Sequence, residues 1–155
     1  MKYLKVNSTD FFDNVNFQAL VNRLEEITLS SQRKWGIMTV AQMLHHLNVA
    51  IGSGLGYFTL EDKSTFMSRG IIKCMILDVL KRFPVNAETP RTLKVNGDFN
   101  FDTEKKLLLE ILYKAFETKT DATWQVHTYF GKITRKQCGK LIMIHCNHHF
   151  QQFGG

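Results

Sequence analysis

Proline is nearly absent from this 155-residue chain. Its two copies, Pro84 and Pro90, both fall between residues 83 and 101, so the rest of the sequence is free to form long helices. Cysteine is scarce as well. Cys74, Cys138 and Cys146 make an odd count with no C-x-x-C spacing, which argues against a disulfide framework and fits a reducing compartment. No run of eighteen apolar residues occurs, and the richest stretch, 70–80, is interrupted by Lys73 and Asp78. The opening Met1-Lys2-Tyr3-Leu4-Lys5 lacks the apolar centre of a secretory signal. The expectation is a soluble cytoplasmic protein with no membrane partner. Acidic residues vanish after Asp121, and the formal net charge is +6, yet neither a dense basic stripe nor a nucleic-acid reader motif is present. No nucleic-acid partner is expected.

What is present is helical periodicity in a chain that is 44% hydrophobic, enough for one domain spanning 1–155. The first helix is predicted over 15–30, with Phe17, Leu20, Val21, Leu24 and Ile27 on one face. The second runs from a capping box, Thr39-Val40-Ala41-Gln42, to Ile51, where glycines follow. The third is predicted over 64–82, with Ile71, Cys74, Met75, Leu77 and Val79 as its apolar face. The fourth starts at Asp102 as N-cap and continues to Glu117; the fifth opens with the capping box Thr134-Arg135-Lys136-Gln137 and reaches Gln152. Strand-like alternation is scarce, and residues 91–95 read as extended loop. The fold class is all-α, an antiparallel four-helix bundle with an additional short or broken helix.

Five of the six histidines form two groups: His45 with His46, and His145 with His148 and His149. Helical residues advance about 100° each, so His149 lies about 40° from His145, on a stripe shared with Cys138, Leu141 and Ile142. Lys136, Lys140, Asn147 and Gln151 fall on the opposite, solvated face, and His148 at the stripe's margin. In the second helix His46 flanks the apolar stripe, whereas His45 points about 100° further round, toward solvent. Geometry thus selects His46, His145 and His149. Two imidazoles at i and i+4 plus a third from another helix can hold a metal and leave a coordination position open. Hydrogen-bonded core histidines explain the same spacing equally well. Cys146 reads as a small buried hydrophobe, with a thiolate ligand as the alternative.

Trp35 with Met38-Thr39-Val40-Ala41-Gln42-Met43-Leu44-His45-His46-Leu47, the loop His127-Thr128-Tyr129-Phe130-Gly131-Lys132-Ile133-Thr134, and the ending His145-Cys146-Asn147-His148-His149-Phe150-Gln151-Gln152-Phe153 together resemble the DinB/YfiT-like metalloenzyme superfamily. The nearest pattern is an uncharacterised branch with MTxAQMLxHL, HPxFGxLT and HxxHHxxQFG segments. The resemblance covers most of the chain and implies a DinB-like bundle. It also implies metal ligands at the histidine before leucine, His46, and at the H-x-x-x-H pair His145 and His149, with Gln152 three residues on. Thr128 stands where the branch has proline, which leaves the loop freer. His127 then either approaches the metal pocket or caps the loop, the latter being the expectation.

The leading expectation is a divalent-metal enzyme, zinc or nickel, carrying out hydrolysis or thiol S-transfer on a small molecule. Tyr129, Phe130 and Trp124 are candidates for a pocket wall, with core packing the expected role for Trp124. Glu25, Glu26 and Glu110 are the available general bases, none of them selected by the sequence. Arg135 and Lys136, near Lys132, read as solvated charge, with an anion site as the alternative. Two other classes stay open: a non-catalytic metal or small-ligand binder, dimeric through an exposed helix face, and an interaction domain whose site has lapsed.

Overall fold

A computed structural model describes residues 10–85 and 93–154. Among these residues the regular structure is helical: α1 (Asn14–Glu26), α2 (Val40–Gly52), α3 (Phe101–Glu117) and α4 (Arg135–Gln152), with two π-helical segments, Ser68–Ile72 and Met75–Leu80, between α2 and α3. The only β-type pairing among them is an isolated bridge between His127 and Gly131. Pro90 and part of the 91–95 loop lie outside the described residues.

Local chemistry sets the boundaries. Both predicted capping boxes form: Thr39 accepts from the Gln42 backbone N–H, Thr134 from that of Gln137, and each glutamine side chain reaches back. α1 stops at Glu26 rather than residue 30, because hydroxyls take over the backbone. Thr28 N–H donates to Ser31 Oγ at 3.0 Å, and Ser31 N–H returns to the Thr28 carbonyl. α3 is capped two residues earlier than expected. Asn100, not Asp102, is its N-cap, its Oδ1 accepting from Thr103 N–H, and Asp102 joins Glu104 in the first turn beside the positive dipole end.

All four α-helices contribute to one core. Phe17, Leu20 and Leu24 of α1, Met43 and Leu47 of α2, Leu108 and Ile111 of α3, and Ile142, Cys146 and Phe150 of α4 are buried together. The predicted face of α1 is buried throughout. A second cluster joins Ile76 and Leu77 to Phe130 and Ile133, and to Cys138, Leu141 and Ile144 of α4. The predicted apolar face of the third helix is largely overturned. Ile71 is 62% and Val79 68% exposed, and Met75 and Cys74 are exposed as well. Bonding from i to i+5 turns each residue through less than the α-helical angle, so a stripe counted at 3.6 residues per turn rotates out of the core.

α4 is sheathed on nearly every side. Asn147 and Gln151, expected on a wet face, are buried: Asn147 Oδ1 accepts from Arg23 Nη1 at 2.8 Å and from Gln151 Nε2 at 3.2 Å. Only the first turn keeps its solvated lysine, Lys136, while Lys140 pairs with Asp78. Arg135 is engaged by the protein rather than freely solvated. Asp121 Oδ1 already accepts from Arg135 N–H, Arg135 Nε donates to the Thr118 carbonyl, and the guanidinium covers the Phe12 ring at 3.4 Å.

Candidate metal centre

His46 on α2 is separated by 99 residues from His145 on α4, yet their Nε2 atoms lie 2.9 Å apart. His149, one turn beyond His145, completes a cluster. Each of the three offers one ligand nitrogen, and these nitrogens all lie within 4.8 Å of one another. A tetrahedral ion with Zn–N bonds of about 2.0–2.1 Å separates its ligand nitrogens by roughly 3.3 Å, a spacing that falls between those two distances. Three neutral imidazoles from two helices form a donor set that can hold a metal ion.

The surrounding shell fixes which nitrogens face inward. His46 Nδ1 is 3.1 Å from the Leu93 carbonyl, which can only accept, so Nδ1 carries the proton and Nε2 its lone pair. His149 Nδ1 is 2.8 Å from Gln152 Oε1, and the same logic applies. Gln152 cannot be reversed, because its Nε2 donates to the Trp35 carbonyl at 2.8 Å. Lys34 N–H then donates to the Gln152 carbonyl, fastening the 34–36 loop to the end of α4. Gly36 makes this approach feasible. It sits at φ +79°, and a Cβ there would come within 2.7 Å of Gln152 Nε2. Sequence reasoning missed the Leu93 and Trp35 carbonyls, since a backbone acceptor leaves no signature; Gly36 was the one visible clue.

Burial opposes charge on all three imidazoles. It pushes His46 below its ordinary value, despite the opposing bond to Leu93, and pushes His145 and His149 well below theirs, with the neighbouring histidines adding to the effect. The cluster is therefore neutral at physiological pH, as metal binding requires.

The cluster opens on a cavity of about 1080 Å³. Every residue singled out as a pocket candidate lines it: His127, Tyr129, Phe130 and Gln152. Trp124 lines it too, while also packing against both core clusters. His148 borders the cavity without joining the cluster, edge-on to Trp35 and Phe83, and burial lowers it to about 4. His45 does not point into solvent. Its Nδ1 is 3.2 Å from Glu104 Oε2, and its ring stacks on Phe99 at 3.9 Å. Asn48, fully buried, donates to the same carboxylate. Cys146 packs in the main core and is not part of the three-histidine cluster; burial pushes its thiol up to about 12. Glu25, Glu26 and Glu110 are exposed and outside the cavity wall, Glu110 accepting from Tyr57 OH.

His127 both caps the loop and reaches the cavity. Its Nδ1 accepts from the backbone N–H groups of Tyr129 and Phe130, each at 3.1 Å, and its ring stacks on Phe130. Thr128 supplies its own tether in place of proline's rigidity: its hydroxyl donates to the Glu61 carbonyl, and its carbonyl accepts from Lys63 N–H.

A family model described as "Protein of unknown function (DUF1569)" matches residues 7–154, and the chain belongs to that family. No curated protein and no solved structure matches it. Among the described residues no helix is long and apolar enough to cross a membrane.

Proposed function

We propose that this member of the DUF1569 family is a metal-dependent enzyme on a DinB-like four-helix bundle, with zinc or nickel held by His46, His145 and His149 and a small molecule bound in the adjoining cavity. The observation that carries this reading is the convergence of three neutral imidazole nitrogens within 4.8 Å at the wall of a large, mostly apolar cavity. Three protein ligands leave a position free for water or substrate.

Each residue has a defined part. His46 and His149 present Nε2 because Leu93 and Gln152 hold their Nδ1 protons, an outer arrangement that orients the rings and raises their basicity. His145 shifts its proton from Nε2 to Nδ1 to join them. When bound, the metal supplies Lewis acidity and lowers the pKa of a coordinated water or thiol, the chemistry of hydrolysis or S-transfer. Trp124, Tyr129 and Phe130 supply aromatic wall on the side where a substrate would sit. No carboxylate base stands in the wall among the described residues, which favours reactions whose nucleophile is activated by coordination.

The test is turnover. Protein stripped of metal and reloaded with zinc or nickel is assayed against aryl esters and against electrophiles with low-molecular-weight thiols. Metal-dependent turnover abolished in His145→Ala supports the enzyme. Stoichiometric metal with no turnover on either panel contradicts it and leaves a binding protein.

A further inference from the structure

The cavity wall is chemically one-sided. Among the described residues lining it there is no aspartate and no glutamate, and the one permanently charged side chain is Lys94, exposed at the margin. His127 adds a fixed donor. Two backbone N–H groups converge on its Nδ1, which must therefore carry the lone pair, so the ring proton resides on Nε2. No acceptor in the described protein meets that N–H. The ring lines the cavity close enough to His145 for charge on either to oppose charge on the other. An N–H on a ring that lines the cavity is open to an acceptor atom of a ligand, and a hydrogen bond to an ionised acceptor is stronger than one to a neutral acceptor. Burial lowers His127 to about 4, so at neutral pH it stays an uncharged donor whose tautomer does not change.

We propose that the cavity takes a small organic acid, a carboxylate on an apolar body, with one carboxylate oxygen accepting from His127 Nε2–H. The loop His127–Gly131, closed by the paired bonds between those two residues, is then a recognition loop, and its stack on Phe130 sets the direction of the donor. The apolar body fits walls such as Ile72, Phe83 and Leu141. The volume of about 1080 Å³ lies just above the range of about 300–1,000 Å³ common for small-molecule pockets. A carboxylate is favoured over a neutral carbonyl because nothing in the wall repels it and Lys94 attracts it. This deepens the preceding reading, whose dication would add to the same preference, but His127 makes its contribution with or without metal.

The chain's two tryptophans, Trp35 and Trp124, both line the cavity, so their fluorescence reports occupancy. Benzoate and its neutral counterpart benzamide are titrated into zinc-loaded and metal-free protein. The expected result is at least about tenfold tighter binding of benzoate in both forms. His127→Asn places an amide oxygen where Nδ1 stood, keeping the loop cap and removing the donor; it is expected to lose that tenfold preference with unchanged thermal unfolding. His127→Gln places an amide N–H near the Nε2 position and loses the cap; it is expected to keep the preference and unfold at lower temperature. Equal binding of the two probes by the wild type, absence of benzoate binding, or wild-type selectivity in His127→Asn overturns the proposal. The wild-type comparison decides even where a variant fails to fold. Protein that binds no zinc but selects benzoate through His127 leaves this inference standing and removes the metal; protein that holds zinc and ignores benzoate does the reverse.

Discussion

Gln152 Oε1 accepts the Nδ1 proton of His149 at 2.8 Å, while its Nε2 donates to the Trp35 carbonyl, so one buried amide ties the three-histidine cluster to a loop 117 residues away. Replacing it leaves His149 free to take either tautomer and to rotate. Gln152→Leu is expected to weaken metal affinity about 10–100-fold with helix content retained. Competition against a chromophoric chelator, alongside circular dichroism, measures both. Unchanged affinity in a folded variant would mean that the amide does not orient the ligand.

Gly36 makes that tie sterically feasible. Gly36→Ala places a side chain in a left-handed conformation and drives its Cβ toward Gln152 Nε2. The conformational penalty alone is about 1–2 kcal/mol, and the collision adds to it. A lower denaturation midpoint accompanied by weaker metal binding is expected, although residue 36 is not itself a ligand. A midpoint equal to wild type would contradict the close approach.

Much of this arrangement was legible in the sequence, for identifiable reasons. α1, α2 and α4 were readable because the apolar repeat follows the 3.6-residue period and because Thr39 and Thr134 open capping boxes, whereas the Asp13 cap of α1 emerged only in the structure. The same period picked His46, His145 and His149 from six histidines. It failed at 66–80, where the helix is wound more widely, and on α4, where Arg23 of the neighbouring helix covers Asn147 and turns an apparently wet face into a buried polar one. His45 misled for a related reason: Phe99 and Glu104 cover it, both remote from it along the chain.

The three thiols should separate cleanly. Burial pushes Cys138 and Cys146 to about 12, whereas Cys74 is exposed. A short pulse of iodoacetamide near neutral pH is expected to label Cys74 alone, with the other two reacting only in denaturant. Mass spectrometry of the peptides reads the pattern. Early labelling of Cys146 would contradict its place in the core.

Acid should destabilise the metal-free fold through its histidines. His127 and His148 sit at about 4 in the fold, against about 6.5 for an unfolded imidazole. Between those values the unfolded chain binds more protons than the folded one, so unfolding is favoured as pH falls. Above about 6.5 neither state is protonated, and this contribution to the pH dependence is flat. Urea midpoints measured from pH 8 to 4 are expected to hold steady and then decline below about 6.5. A midpoint that rises on acidification through that window would show these imidazoles to be charged in the fold.

Whether His46, His145 and His149 share one ion is answered by elemental analysis of untagged protein. About one equivalent of zinc or nickel per chain is expected for the wild type. The metal should be lost in His46→Ala, in His145→Ala and in His149→Ala, each still helical by circular dichroism. Wild-type protein that carries no metal as purified, and takes up neither zinc nor nickel from micromolar solution, would contradict a shared ion.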